Sequence, residues 1–160
     1  MTIKVGDRIP EATLAVMRDG GPAPVKSREL FAAKLVVMFG LPGAFTPTCS
    51  AQHLPGFVSH AAALKAKGVD TIVCHAVNDV FVMAAWGKEQ NVGDDVVMLA
   101  DGSAALTQAM GIELDLVERG LGRRCRRYSL IAEDSVVSVL NIEEGGAFEV
   151  SSAEKILEQL

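Results

Sequence analysis

Apolar positions along the chain follow two periods. Residues 34–40, 69–76 and 96–100 carry short apolar stretches, and the first, Leu35-Val36-Val37-Met38-Phe39 between Lys34 and Gly40, is continuous and does not alternate with polar residues. Short runs of this kind, bounded by Gly or charged residues, predict strands covered on both faces. A different spacing follows the first run: Leu54, Phe57, Val58, Ala61, Ala62 and Leu64 fall on one side of a helix that Gly68 ends. Asn78-Asp79 predicts the cap of a helix over 80–90, with Val80, Met83, Ala84 and Gly87 on one side. A shorter helix follows the turn Asp101-Gly102-Ser103 and is closed by Gly111.

The flanks read less regularly. Residues 1–32 are punctuated by Gly and Pro and suit a small hairpin or edge strands turning at Asp19-Gly20-Gly21-Pro22. Residues 113–122 read as a loop with glycines and charges, leading to Arg123-Arg124-Cys125-Arg126-Arg127. Residues 128–132 and 136–141 predict a hairpin across Glu133-Asp134, and Ser151-Ser152-Ala153-Glu154 fits a capping box at the start of a last helix. Strands alternating with helices, then a hairpin and a final helix, predict an α/β fold with a mixed central sheet and helices on both faces. At 160 residues and 49% apolar composition, residues 1–160 are expected to form a single domain.

Charge and cysteine content narrow the function classes. A net charge of -5 and a pI near 5.2 argue against nucleic acid or an anionic membrane surface as partner. No apolar run approaches the roughly 18 residues of a membrane span, and the polar start Met1-Thr2-Ile3-Lys4 lacks a signal core, so a cytoplasmic protein is expected. Three cysteines, an odd number at irregular positions, fit reduced thiols better than a disulfide framework. His53, His60 and His75 are too scattered to suggest a metal site.

The chemistry concentrates in Pro42-Gly43-Ala44-Phe45-Thr46-Pro47-Thr48-Cys49-Ser50, between the first buried strand and the first helix. Cys49 falls on the first helical turn, where free N–H groups and the helix dipole favour a thiolate. Pro55 clashes with the carbonyl four residues back, Ala51, so the turn carrying Cys49 is expected to be kinked and easily unwound. Read from the residues alone, Cys49 could pair with His53 at i+4 as a hydrolase, or act as a non-catalytic redox sensor or holdase. Against the hydrolase, Pro55 disturbs that register and no third member to orient His53 is evident.

The spacing of Pro42, Thr46 and Cys49, with Pro55-Gly56-Phe57, Ala76-Val77-Asn78-Asp79, Trp86-Gly87-Lys88 and Arg127-Tyr128-Ser129, resembles the peroxiredoxin family, its peroxiredoxin 5 subfamily and the plant-type II members most of all. The resemblance covers nearly the whole chain. It implies a thioredoxin-like fold and a thiol-dependent peroxidase without cofactor or metal. It also implies that Cys49 attacks hydrogen peroxide or alkyl hydroperoxides, with Pro42, Thr46 and Arg127 completing its pocket. The family's common dimer, pairing through loops around the site, implies a homodimer to which Phe45 is a suitable contact.

Physical reasons support each of these roles. Only a thiolate is nucleophilic enough, but lowering a thiol from about 8.5 to about 6 raises the thiolate fraction at pH 7 only about thirtyfold. The rest must come from donors placed where negative charge develops, which suits the Arg127 guanidinium, the Thr46 hydroxyl and the Cys49 N–H, with Pro42 shielding the sulfur. The resolving cysteine that some family members carry would fall at Val150, Cys74 reads as a buried structural thiol, and Cys125 matches no family cysteine. If 125–127 are extended, Cys125 shares a strand face with Arg127. A one-cysteine enzyme is therefore expected, recycled by an external thiol donor, either glutathione with glutaredoxin or thioredoxin.

Overall fold

A computed structural model describes residues 1–160. The chain opens with an edge hairpin, β1 (Thr13–Arg18) and β2 (Gly21–Lys26), followed by α1 (Ser27–Phe31) and the central strand β3 (Leu35–Gly40). A helical turn over Cys49–His53 runs into α2 (Leu54–Ser59) and α3 (Ala61–Ala66). Then come β4 (Thr71–Ala76), α4 (Val80–Glu89), β5 (Val97–Ala100) and α5 (Ala105–Met110). The last third holds β6 (Glu113–Leu116), β7 (Gly122–Cys125), β8 (Tyr128–Glu133), β9 (Val136–Ile142) and α6 (Ala153–Gln159).

The main sheet has seven strands in the order β2-β1-β5-β4-β3-β8-β9, with β6 and β7 forming a separate ribbon. β3, β4 and β5 are parallel, while β1 and β8 join them antiparallel, which makes the sheet mixed. β3 sends Val37 and Phe39 to one face and Val36 and Met38 to the other, all without solvent contact. That is why its sequence shows no alternation. The face of Phe39 packs against the Cys49 helix, α4 and α6, where Phe39 stacks on Phe57 at 4.0 Å. The opposite face packs against α1, α5 and the N-terminal segment. No helix is long and apolar enough to cross a membrane.

Four local expectations are corrected. Residues 113–122 are a ribbon rather than a loop: Leu114 and Leu116 are half-buried while Glu113 and Asp115 point to solvent, a four-residue alternation hidden by its charges. The helix expected from Leu54 to Gly68 is two helices meeting at His60, although bonds from His60 N–H to Gly56 and from Leu64 N–H to His60 carry the pattern across. The β8–β9 turn is Asp134-Ser135, one residue later, because both residues adopt positive φ (46° and 72°) as a tight hairpin of this hand requires. The cap of α6 is Ser152, whose hydroxyl accepts from Lys155 N–H at 3.2 Å, since the Ser151 hydroxyl is committed to Glu143. Asp79 caps α4 and Gly111 closes α5 as expected.

Candidate active site

The Cys49 loop leaves the carboxyl end of β3 and is held by neighbours distant in sequence. Gly40 precedes it, and a side chain there would run into the Tyr128 ring. Ala44 N–H donates to the Asn78 side-chain oxygen at 2.9 Å, and Arg124 donates through Nη1 to the Pro42 carbonyl at 3.1 Å and through Nε to Leu121 at 2.7 Å. The Thr46 hydroxyl donates to the Gly43 carbonyl at 2.7 Å. The disturbance expected from Pro55 takes the form of a wide turn: Leu54 N–H bonds the Cys49 carbonyl five residues back, and the helix continues. That turn is tied to α4, where Trp86 Nε1 donates to the Ser50 hydroxyl at 3.0 Å and Gln90 to the Ser50 carbonyl at 3.3 Å.

Cys49 has no solvent exposure, and its one side-chain partner is a cation: Arg127 Nη2 donates to Sγ at 3.3 Å. Arg127 is itself buried, at 6% exposure, and lies 5.8 Å from the Phe148 ring centroid. Its Nη1 donates to His53 Nδ1 at 2.9 Å, and His53 Nε2 lies 3.0 Å from the Ser151 carbonyl. Since a carbonyl only accepts, the His53 proton sits on Nε2 and the Nδ1 lone pair faces Arg127. Burial, reinforced by the Arg127 charge and partly opposed by the Ser151 bond, lowers His53 from 6.5 to about 3. A neutral His53 aimed at a guanidinium cannot take the proton of Cys49, so the Cys-His hydrolase arrangement is absent.

Arg127 Nε is buried and has no partner. Arg127 lines a cleft of about 460 Å³ with Pro42 and Thr46, and Leu114, Leu116 and Leu121 of the β6–β7 ribbon contribute its apolar wall. The four residues expected to act together are therefore brought to one place. A slightly larger groove, about 520 Å³ between α4 and strands β1 and β5, holds no cysteine, histidine or serine.

A family model described as Redoxin matches residues 4–157. The chain is 54% identical over 164 residues to the chloroplastic peroxiredoxin-2E-2 of Oryza sativa subsp. japonica, covering 99% of this chain and 73% of that protein. It is 49% identical to peroxiredoxin-2B of Arabidopsis thaliana, covering 99% and 98%. The chain belongs to the peroxiredoxin family. Two solved structures extend the match to the fold. Reduced Prx3 of Vibrio vulnificus in complex with hydrogen peroxide superimposes with a TM-score of 0.95 at 49% identity over 99% of both chains. Peroxiredoxin 5 of Alvinella pompejana gives 0.85 at 33% identity over 98% and 96%. The fold is thioredoxin-like, and the protein is a thiol-dependent peroxidase.

The other cysteines of this peroxiredoxin are free and fully buried. Burial, then the nearby Cys49 and Cys125 sulfurs, push the Cys74 thiol well up; burial, then the Asp101 charge, push Cys125 up to about 12. The extended stretch over 125–127 on which a face shared by Cys125 and Arg127 depends is not part of a strand, since β7 ends at Cys125, and the Cys125 sulfur turns to the Leu41 carbonyl at 3.2 Å. His60 lies between the Gly56 carbonyl (2.8 Å) and Glu154 (3.8 Å), and His75 between Tyr128 and Asp101. From the sequence His53 is legible only as a base, and Phe148, Ser151 and Glu143 are not legible as residues of the site. The i+4 spacing from Cys49 was a usable signal for His53, whereas Ser151 and Glu143 lie about ninety or more residues from the loop and carry none.

Proposed function

We propose that Cys49 is the peroxidatic nucleophile for hydrogen peroxide and alkyl hydroperoxides, with Arg127, Thr46 and Pro42 completing the pocket. The observation that carries this reading is the Arg127 guanidinium, which donates to the sulfur through Nη2 while its Nε–H is buried without a partner. A buried unpaired donor costs about 1–3 kcal/mol unless a ligand meets it, and a peroxide oxygen beside the sulfur would do so. Thr46 has its proton committed to Gly43, so its oxygen is left to accept from the peroxide O–H. The sulfur attacks the terminal oxygen: the S–O bond forms, the O–O bond breaks, and the departing hydroxide or alkoxide takes a proton. Sulfur is oxidised by two electrons to sulfenic acid and the peroxide is reduced to water or alcohol. The leucine wall of the cleft gives an alkyl group an apolar surface.

Recycling by two external thiols, which return Cys49 and release a disulfide and water, is supported by the burial of Cys74 and Cys125 and by valine at position 150. A one-cysteine enzyme of the peroxiredoxin 5 subfamily follows from this reading. It works in a reducing compartment such as the cytoplasm, as a homodimer pairing through the loops around the site, where Phe45 is 52% exposed. The Alvinella pompejana and Vibrio vulnificus likenesses support the subfamily and the peroxide. Stopped-flow turnover of hydrogen peroxide, with glutaredoxin plus glutathione and thioredoxin offered separately, tests it. Fast catalytic consumption with either donor is expected, and stoichiometric consumption alone would leave a sensor.

A further inference from the structure

The position of Arg127 depends on His53, and that of His53 on the carbonyl of Ser151, which lies outside any helix or strand. What fixes Ser151 is Glu143. One oxygen of its carboxylate, Oε2, accepts the N–H groups of Glu149 (2.8 Å), Val150 (2.8 Å) and Ser151 (2.9 Å) and the Ser151 hydroxyl (2.7 Å). The Glu143 backbone is fastened to the arginine segment as well: its N–H donates to the Arg127 carbonyl at 2.9 Å, and its carbonyl accepts from Arg126 Nη2 at 3.0 Å. Glu143 thus holds both ends of the arrangement that presents the guanidinium to Cys49.

Glu143 is 2% exposed, and no ion pair in the chain includes it. A buried carboxylate without a cation persists only where hydrogen bonds replace its lost hydration. Burial alone would raise this carboxyl, but the Ser151 hydroxyl and the three N–H groups outweigh it and hold the carboxyl below an ordinary glutamate, so the charge persists. Four donors converging on one charged oxygen fix the backbone of residues 149–151, and with it the Ser151 carbonyl, at one place.

We propose that Glu143 is a positioning residue for the peroxidase reaction: by fixing the Ser151 carbonyl it sets the tautomer of His53, and through His53 the placement of Arg127 on the Cys49 sulfur. The proposal rests on the peroxidase reading above. If the Ser151 carbonyl moves away, His53 is free to carry its proton on Nδ1. An N–H would then face the N–H of Arg127, and the guanidinium would be pushed from the sulfur.

The test uses the full chain, hydrogen peroxide and a double-mutant cycle. Glu143→Gln is expected to lower the second-order rate about tenfold or more in the wild-type background, but less than about twofold in Arg127→Lys, because the interaction it supports is already lost there. Long-range proton–nitrogen NMR reads the tautomer independently of activity: His53 protonated on Nε2 in the wild type, and mixed in Glu143→Gln. A tenfold loss in both backgrounds, no loss in the wild type, or an unchanged tautomer would overturn the proposal. Wild-type turnover separates it from the underlying reading, which fails only if the unmodified chain does not consume peroxide. Should Glu143→Gln not fold, Ser151→Ala keeps the carbonyl and removes one of four donors. About threefold is then expected, again only with Arg127 present, and no change overturns the proposal.

Discussion

Cys49 and Cys125 are equally closed to solvent, yet their sulfurs hold opposite roles. Cys49 Sγ accepts from a guanidinium, whereas Cys125 donates to the Leu41 carbonyl, with the His75 carbonyl behind it at 4.0 Å. At Cys125 burial disfavours a thiolate, and the Asp101 carboxylate adds to the penalty. In the proposed reaction the partner, not burial, distinguishes the two sulfurs, and a buried histidine lies near each. On the Cys49 side a neutral His53 accepts from Arg127 and leaves the cation's charge available to the sulfur. On the other side His75 bridges the Tyr128 hydroxyl (2.7 Å) and Asp101 (2.8 Å), in a network that Thr107 and Leu106 N–H groups complete. That network leaves no donor spare for chemistry.

The harshest break of this comparison is Cys49→Ser. A hydroxyl is scarcely ionised near pH 7, so peroxide turnover is expected to fall by at least about a thousandfold. Retention of even a tenth of the activity would move the reaction to Cys74 or Cys125. Next in size is Arg127→Lys. The guanidinium serves Sγ through Nη2 and His53 through Nη1 and still has Nε–H unpartnered, while an ammonium is a point charge that cannot span all three. Loss of a transition-state bond to developing charge costs about 2–4 kcal/mol, or roughly thirty- to a thousandfold in rate. Alkylation of Cys49 by iodoacetamide involves no O–O bond and is expected to fall much less. Equal losses in both assays would make Arg127 a source of field only.

The difference between the two sulfurs was only half legible in the sequence. Pro42, Thr46 and Cys49 lie within eight residues, and one buried strand with a following helix start is enough to place them. Arg127 was reachable through its resemblance-bearing neighbours Tyr128 and Ser129. The strands were legible because Val36–Phe39 are apolar on both faces, a pattern that owes nothing to long-range detail. The support of Arg127 was not legible. It depends on backbone groups, the Ser151 carbonyl and the N–H groups of residues 149–151, which every residue but proline possesses and which therefore leave no mark in composition or spacing. The β6–β7 ribbon was missed for another reason: four residues of alternation between charges are too few to stand out from a loop.

A third measurement bears on His53. Its proton affinity is lowered from 6.5 to about 3, so between those values the unfolded chain binds a proton that the folded one refuses. Stability is therefore full above about pH 6.5 and declines as pH falls toward 3. From pH 7 to pH 5 the loss from this one group is about 2 kcal/mol. Glu143, whose carboxyl is held low, adds to acid sensitivity only below the ordinary carboxylate value of about 4.3, so it lies outside that window. Urea unfolding of the wild type and of His53→Gln at pH 7 and pH 5 reads the difference. A variant with the same pH dependence as the wild type would mean that His53 does not stay neutral.

The smallest expected effect falls on the other sulfur. Serine at position 125 keeps a donor for the Leu41 carbonyl and removes the thiol, so Cys125→Ser should leave the geometry of the Pro42 loop in place. Because the Cys125 thiol is buried and pushed up to about 12, its thiolate at pH 7 is on the order of one part in a hundred thousand, too little to attack a sulfenic acid at a useful rate. Peroxide turnover with either thiol donor is then expected to change by less than about twofold. Peptide mapping after peroxide treatment without donor supplies the second half of the test. Cys49 sulfenic acid, or an adduct with an added thiol, is expected in both forms of the protein. A Cys49–Cys125 disulfide as the main wild-type product, with turnover lost in Cys125→Ser, would show that local opening brings the two sulfurs together and would make Cys125 the resolving residue.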